Sequence, residues 1–160
     1  MELSHVDESG RARMVDVSDK EVSHREALAE GRVFVSAETV RLIQENQVRK
    51  GDVLTVSETA GVMGGKHTAT LIPLAHPVTT DLIDVSCVIE SNAVRITARA
   101  VCRGRTGVEM EALTAVSVAA LAVYDMCKAV DTEMSIGEIR LTEKRKEPLN
   151  PARATDPAPA

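Results

Sequence analysis

Between residues 108 and 130 the sequence VEMEALTAVSVAALAVYDMCKAV sets a few polar side chains into an otherwise apolar run. At about 100° per residue on a helix, Glu111, Thr114, Ser117, Asp125 and Lys128 fall within one stripe roughly 120° wide. Asp125 and Lys128 are three apart and can touch. Two readings fit this pair. One is a solvated ion pair; the other is a carboxylate whose proton affinity is set by the neighbouring ammonium, a candidate acid/base. Glu111 and Asp125 are fourteen residues apart, about 21 Å along a helix. They cannot both touch one small substrate from one straight helix, so a site using both is completed by two chains.

Other residues with chemical capacity lie at breaks between elements. His76 sits between prolines in LIPLAHP (71–77), a stiff loop that holds the imidazole in place; a lone histidine is also often structural. Lys50, Lys66, His67, Arg103 and Arg105 read as surface charge or, taken together, as a set able to collect phosphates. Gly104-Arg105-Thr106-Gly107 leads into Glu109 and Glu111, with Thr106 the expected cap. A helix N-terminus attracts anions and equally stabilises acidic residues in its first turn, so both readings stay open. Gly61–Lys66 (GVMGGK) is not a P-loop, lacking both the spacing and the Ser/Thr after Lys. No two histidines have metal-ligand spacing, so no metal site is expected.

These residues need positioning elements, and the pattern supplies them. Residues 83–89 and 94–102 alternate apolar and polar around Ser91-Asn92, which reads as a β-hairpin with one apolar face. The Ala-rich 108–130 run reads as one long helix covering that face. Being apolar almost all round between 112 and 124, it must be covered on its other side by a helix or a second subunit. MVDV (14–17) reads as a short strand, and residues 18–32 are charged and give no clear pattern. Val33-Phe34-Val35 reads as a short strand. Residues 37–47 read as a helix capped by Ser36, and residues 52–63 as a second, with Val53, Leu54, Val56, Ala60 and Val62 as its apolar side and Gly61, Gly64 and Gly65 weakening its end. In the last strand Met134/Ile136 and Ile139/Leu141 have opposite parity, implying a bulge at Gly137. Strand, helices, strand, strand, helix, strand is the split β-α-β, or ferredoxin-like, order. The expected fold is α+β, an antiparallel sheet with helices on one face. One domain spans 14–145, between a flexible 1–13 and a Pro/Ala-rich tail at 146–160 expected to be disordered.

The 160 residues carry a net charge of −5 and only two aromatics, Phe34 and Tyr124. This argues against a basic nucleic-acid stripe and against a base-stacking platform, leaving an anionic small molecule met by locally gathered cations. Three scattered cysteines, Cys87, Cys102 and Cys127, read as reduced thiols in a cytoplasm. No signal-peptide pattern and no uninterrupted membrane-length run is seen.

The runs ARMVDVSDK (12–20), KGDV (50–53), LIPLAHP (71–77), TGVEMEALTAVSVAAL (106–121) and YDMCKAV (124–130) resemble the cyclic pyranopterin monophosphate synthases, the MoaC family, over about residues 4–144. The resemblance implies a lyase of molybdenum cofactor synthesis. It would convert 3′,8-cyclo-7,8-dihydroguanosine 5′-triphosphate to cyclic pyranopterin monophosphate and pyrophosphate. It implies a homohexamer, a trimer of dimers with sites at subunit interfaces, and no partner of nucleic acid or membrane. It implies no required cofactor, with Mg²⁺ admissible alongside the triphosphate or pyrophosphate. Carried over motif by motif, Asp125 and Lys128 are its catalytic pair. Leu74, Ala75, His76, Met110, Glu111, Lys50, Lys66, Glu109 and Lys144 are its substrate-binding set. Ala75 stands where the family usually has cysteine, and His67 where arginine is common. Lys144-Arg145-Lys146-Glu147-Pro148 replaces the usual glycine-rich tail. The altered tail keeps an alternative in play: a non-catalytic oligomer that binds nucleotides or is purely structural.

Overall fold

The structure, a computed structural model, describes residues 10–149. In chain order the elements are β1 (Ser23–Phe34), α1 (Ala37–Gln44), α2 (Val53–Lys66), α3 (Thr68–Leu71), β2 (Thr80–Ile89), β3 (Ala93–Gly104), α4 (Glu109–Cys127) and β4 (Ser135–Pro148). The strands form one sheet in the order β2-β3-β1-β4 with every neighbouring pair antiparallel. This is the expected α+β arrangement, and its β-α-β-β-α-β sequence matches the split β-α-β order.

The core lies between the sheet and α2 and α4. Ala27, Ala29 and Val33 of β1, Ile96, Ala98, Ala100 and Cys102 of β3, and Val85 and Cys87 of β2 are buried there against Ala112, Ala115, Val116, Ala119 and Val123 of α4. The β2–β3 hairpin and the long helix therefore stand as expected, α4 being a few residues shorter at its ends. With 19 residues and a mean hydropathy of 1.4, α4 is long and apolar enough to cross a membrane, but most of it is buried inside the fold, as in the core helix of a globular protein.

The glycines of α2 pack rather than fray. A Cβ at Gly64 would stand 2.6 Å from Cβ of Val118, and one at Gly61 would stand 2.9 Å from the carbonyl oxygen of Ala115. These glycines let α2 and α4 approach backbone to backbone. The buried face of α2 is accordingly Val53, Ser57, Gly61, Gly64 and Gly65, and the helix runs on to Lys66; Val56, expected inward, is exposed.

Several other expectations are corrected. Residues 14–17 are not a strand. The short strand at 33–35 is the end of a 12-residue β1 that takes in the charged stretch. Three of its charges, Glu26, Glu30 and Arg32, lie on the open face of the sheet, where they pair across strands: Arg99 with Glu26 at 2.5 Å, Arg140 with Glu30 at 2.6 Å, and Arg32 with Glu90 at 2.9 Å and Glu138 at 2.5 Å. Helix α1 stops at Gln44; Ser36 caps it, accepting from the Thr39 amide at 3.2 Å. Thr106 does not cap α4, whose N-cap is Val108 with no side-chain bond. The expected bulge is present: Arg32 pairs with Gly137 and Glu30 with Arg140, with Glu138 at φ 55. Strand β4 continues through Lys146 to Pro148, into the segment expected to be disordered. The rest of that tail, and residues 1–9 of the N-terminal segment expected to be flexible, lie outside the described residues.

Candidate active site

Helix α4 carries a cluster of chemical groups at each end. At its N-terminal end is a cavity of about 530 Å³. The loop after α3 contributes Leu74, Ala75 and His76; the start of α4 contributes Glu109, Met110 and Glu111; β4 contributes Lys144. Seven residues named from the sequence thus meet in one place. Lys66 is not among them. It borders a smaller cavity of about 160 Å³ that shares Val78 and Glu111 with the first. Val15, Val17, Lys20 and Val78 also line the main cavity and were not singled out from sequence; Thr106 and Gly107, read there as the lead into a helix start open to anions, line it too. For Lys20 the signal was present, since it closes the ARMVDVSDK run.

The loop holding His76 is fixed from outside. The ring nitrogen Nε2 lies 2.7 Å from the carbonyl oxygen of Val15, to which it donates. Glu111 is only 4% exposed. Burial raises its carboxyl pKa above the ordinary carboxylate range, a backbone hydrogen bond opposes this, and the charge of Glu109 adds to the rise. Glu109 lies against Gly107, where a Cβ would stand 1.8 Å from its Oε2, and its Oε1 is 3.6 Å from Lys144 Nζ.

At the other end of α4, Asp125 is gripped by two ammonium groups. Lys128 Nζ lies 2.7 Å from Oδ1, and Lys50 Nζ lies 2.6 Å from Oδ2 while also donating to the Asp125 carbonyl oxygen at 2.8 Å. The hydrogen bond from Lys128, then that from Lys50, hold the Asp125 carboxyl down at about 2. Asp125 in turn raises the Lys128 ammonium above its ordinary value. Asp131 braces this end. Its Oδ2 accepts from the Ser36 amide at 2.8 Å and from Thr39 Oγ1 at 2.9 Å, which ties the turn after α4 to the start of α1. Lys50 follows α1 and precedes α2, so that tie bears on the Lys50–Asp125 contact.

The three cysteines are buried and free. Burial pushes the Cys87 thiol up to about 12 and the Cys127 thiol up to about 11 and raises that of Cys102, so none is a ready nucleophile. Among the described residues, no three His, Cys, Asp or Glu side chains converge as metal ligands.

The MoaC family model matches residues 14–147. A protein of Chloroflexus aurantiacus named cyclic pyranopterin monophosphate synthase is 55% identical over 146 residues, covering 90% of each chain. One of the same name from Thermoanaerobacter sp. is 51% identical over 146 residues, covering 90% of this chain and 92% of its own. Another from Thermomicrobium roseum is 54% identical over 145 residues, covering 89% and 87%. Matched along almost its whole described length, this chain belongs to the MoaC family.

Proposed function

We propose that this chain is a cyclic pyranopterin monophosphate synthase, a phosphorus–oxygen lyase that acts on 3′,8-cyclo-7,8-dihydroguanosine 5′-triphosphate in the cytoplasm. The observation that carries the reading is identity of half or more, over nine-tenths of the chain, to proteins of that name. The geometry supplies matching chemistry. Closing a cyclic monophosphate forms an oxygen–phosphorus bond at the α-phosphorus and breaks the bond to the bridging oxygen, whose electron pair departs with pyrophosphate. Cations are needed where that charge gathers. Lys144 at the cavity, Lys66 beside it and Lys50 at the far end of α4 are suited to this, with His76 held in place nearby by its bond to Val15. The ring rearrangement needs groups that give and take protons. A buried carboxyl with raised proton affinity, Glu111, is suited to hold and give one. Asp125, in the protein without substrate, is too weak a base; it becomes a proton acceptor once substrate phosphates draw Lys50 or Lys128 away from it.

The two clusters cannot serve one substrate from the same α4, being about 21 Å apart along it. In our reading the cavity of one protomer is completed by Lys50, Asp125 and Lys128 of another copy. Leu121, 59% exposed on α4 between the clusters, and half-exposed Met110 supply apolar surface for that contact. The homohexamer fits this requirement, and nothing in the proposed chemistry requires a cofactor or a resident metal, Mg²⁺ entering only with the phosphates.

The test is turnover of the cyclic dihydroguanosine triphosphate by the purified chain, with products read by mass spectrometry. Glu111→Gln and Asp125→Asn are then unfolded and refolded together. If sites are shared, two inactive variants regain about a quarter of wild-type turnover, the statistical fraction of sites with both halves intact. No product from folded wild type rejects the synthase reading in favour of a non-catalytic paralogue. Absence of recovery in mixtures that do exchange subunits rejects the shared site.

A further inference from the structure

Just past the C-terminal end of α4 stands Asp131, only 7% exposed. Local chemistry disfavours an acid there, because a helix C-terminus carries partial negative charge and burial penalises a carboxylate. The compensation comes from a distant part of the chain. Oδ2 accepts from the Ser36 amide at 2.8 Å and from Thr39 Oγ1 at 2.9 Å, partners 95 and 92 positions away, and Oδ1 accepts from the Glu133 amide at 3.2 Å. The Ser36 amide first, with help from the Thr39 hydroxyl, holds the carboxyl below its ordinary 3.8 although burial opposes this, so it is ionised at neutral pH. The carboxylate thus faces the N-terminal end of α1, where the helix dipole favours negative charge. Among the described residues its hydrogen bonds run to Ser36, Thr39 and Glu133, and none to Lys50, Asp125 or Lys128.

Helix α1 connects this anchor to the triad. It has 8 residues, about 12 Å of helix, and buries only Thr39, Val40 and Ile43. Asp131 bonds to its N-terminal end. From its C-terminal end the chain runs through bonded turns to Lys50: the Glu45 amide donates to the Arg41 carbonyl oxygen, that of Gln47 to Leu42 and that of Gly51 to Val48, with Val48 buried. Lys50 Nζ then grips both the carboxylate and the carbonyl oxygen of Asp125. On the α4 side the Asp131 amide donates to the Cys127 carbonyl oxygen at 3.1 Å, and the Lys128 amide to that of Tyr124 at 2.9 Å. Asp131 is therefore fixed to the same end of α4 that carries Asp125 and Lys128. Apolar contacts from Val40, Ile43 and Val48 hold α1 down without fixing its direction, since they are non-directional. The hydrogen bonds to Asp131 supply the direction.

We infer that Asp131 is a positioning residue for the reaction: pinned between the end of α4 and the start of α1, it sets where Lys50 meets Asp125. It touches none of the three and acts through Lys50. The inference rests on the synthase reading for the reaction that is served, but not for the placement of Lys50. Asp131 was not singled out from the sequence, because it falls one residue beyond YDMCKAV (124–130) and its partners at positions 36 and 39 come from a far part of the chain.

Two readouts on the full-length protein test this. One is turnover of the cyclic dihydroguanosine triphosphate. The other is brief acetylation of amines with acetic anhydride, with Lys50 read by mass spectrometry against exposed Lys146. Held between a carboxylate and a carbonyl oxygen, Lys50 is shielded from the reagent in wild type. In Asp131→Asn it labels several-fold faster relative to Lys146, and kcat falls about tenfold with KM changed less, since a small misplacement of a catalytic group is costly. Thr39→Val removes one bond and does the same more weakly; Thr39→Ser keeps the hydroxyl and stays close to wild type. In a Lys50→Gln background Asp131→Asn adds no further loss of turnover, because residues that act through one another are not additive. Lys50 labelling equal to wild type in both Asp131→Asn and Thr39→Val overturns the inference. So does a full additional loss in the Lys50→Gln background, the result that a merely structural role gives. If Asp131→Asn fails to fold, the two Thr39 variants decide alone. Wild type without product sinks the synthase reading, while labelling still decides the placement of Lys50. Wild type that turns over, with labelling and kcat unmoved by either substitution, does the reverse.

Discussion

The two ends of α4 hold the same functional group in opposite states. Glu111 is buried at the N-terminal end beside another acid, and burial pushes its carboxyl up. Asp125 is exposed at the C-terminal end between two lysines, and their hydrogen bonds hold it at about 2. Desolvation disfavours charge at one end; paired cations favour it at the other. One helix therefore presents a carboxyl that holds its proton more tightly than an ordinary glutamate and a carboxylate that takes one less readily until its lysines are moved. Pairs of groups driven apart in this way are where acid and base roles divide.

The sharpest break in that comparison is Asp125→Asn. It removes the charge that aligns Lys50 and Lys128, and turnover is expected to fall by about 10³-fold, within the range for a lost acid/base group. Because the triad is solvent-exposed, melting temperature at neutral pH should stay nearly unchanged. A variant with substantial activity would show that the C-terminal cluster is only a surface ion network. The triad's own pH response has a definite sign. Asp125 is depressed below its ordinary 3.8, so its contribution is present above that value and is lost as pH falls through about 2.

Glu111→Gln should cost somewhat less activity, about 10²-fold, and move stability the other way. With the folded carboxyl raised above its ordinary 4.5, the native state binds more protons than the unfolded chain across that window. Wild-type stability therefore falls as pH rises from 4.5 through the raised value, and glutamine suffers no such fall. Thermal melts at pH 5 and pH 8 should show the variant gaining on wild type at the higher pH. A constant difference would mean that Glu111 is not strained by burial.

The smallest effect separates helix placement from site chemistry. Gly64→Ala drives a methyl into Val118, and denaturant unfolding should report a loss of about 1–3 kcal/mol. Since α2 sets the position of α4 at mid-helix, turnover should drop only modestly, with both carboxyl groups still in place. Stability equal to wild type would show that α2 and α4 can separate without cost.

Much of this was legible in the chain. Alternation in residues 83–102 and all-round apolarity in 112–124 specify a hairpin and a buried helix, because side-chain periodicity must match the backbone period of whatever it packs on. The motifs named most of the cavity lining. Strand β1 was illegible for a physical reason: its open-face residues, among them Glu26, Glu30 and Arg32, are strand-compatible only because Arg99, Arg140, Glu90 and Glu138 come from elsewhere in the chain to pair with them. The glycines of α2 looked like flaws because their use, a close approach to α4, exists only between two helices.

By itself, then, the sequence determined the α+β class, the long central helix, the family and the residue types available for proton and phosphate chemistry, since these depend on local periodicity and motif identity. Tertiary structure alone decided that the named residues split into two clusters and that Lys50 joins Lys128 on Asp125. Proton affinity, too, waited on the fold, because it depends on burial and on which charges distant segments bring within a few ångströms.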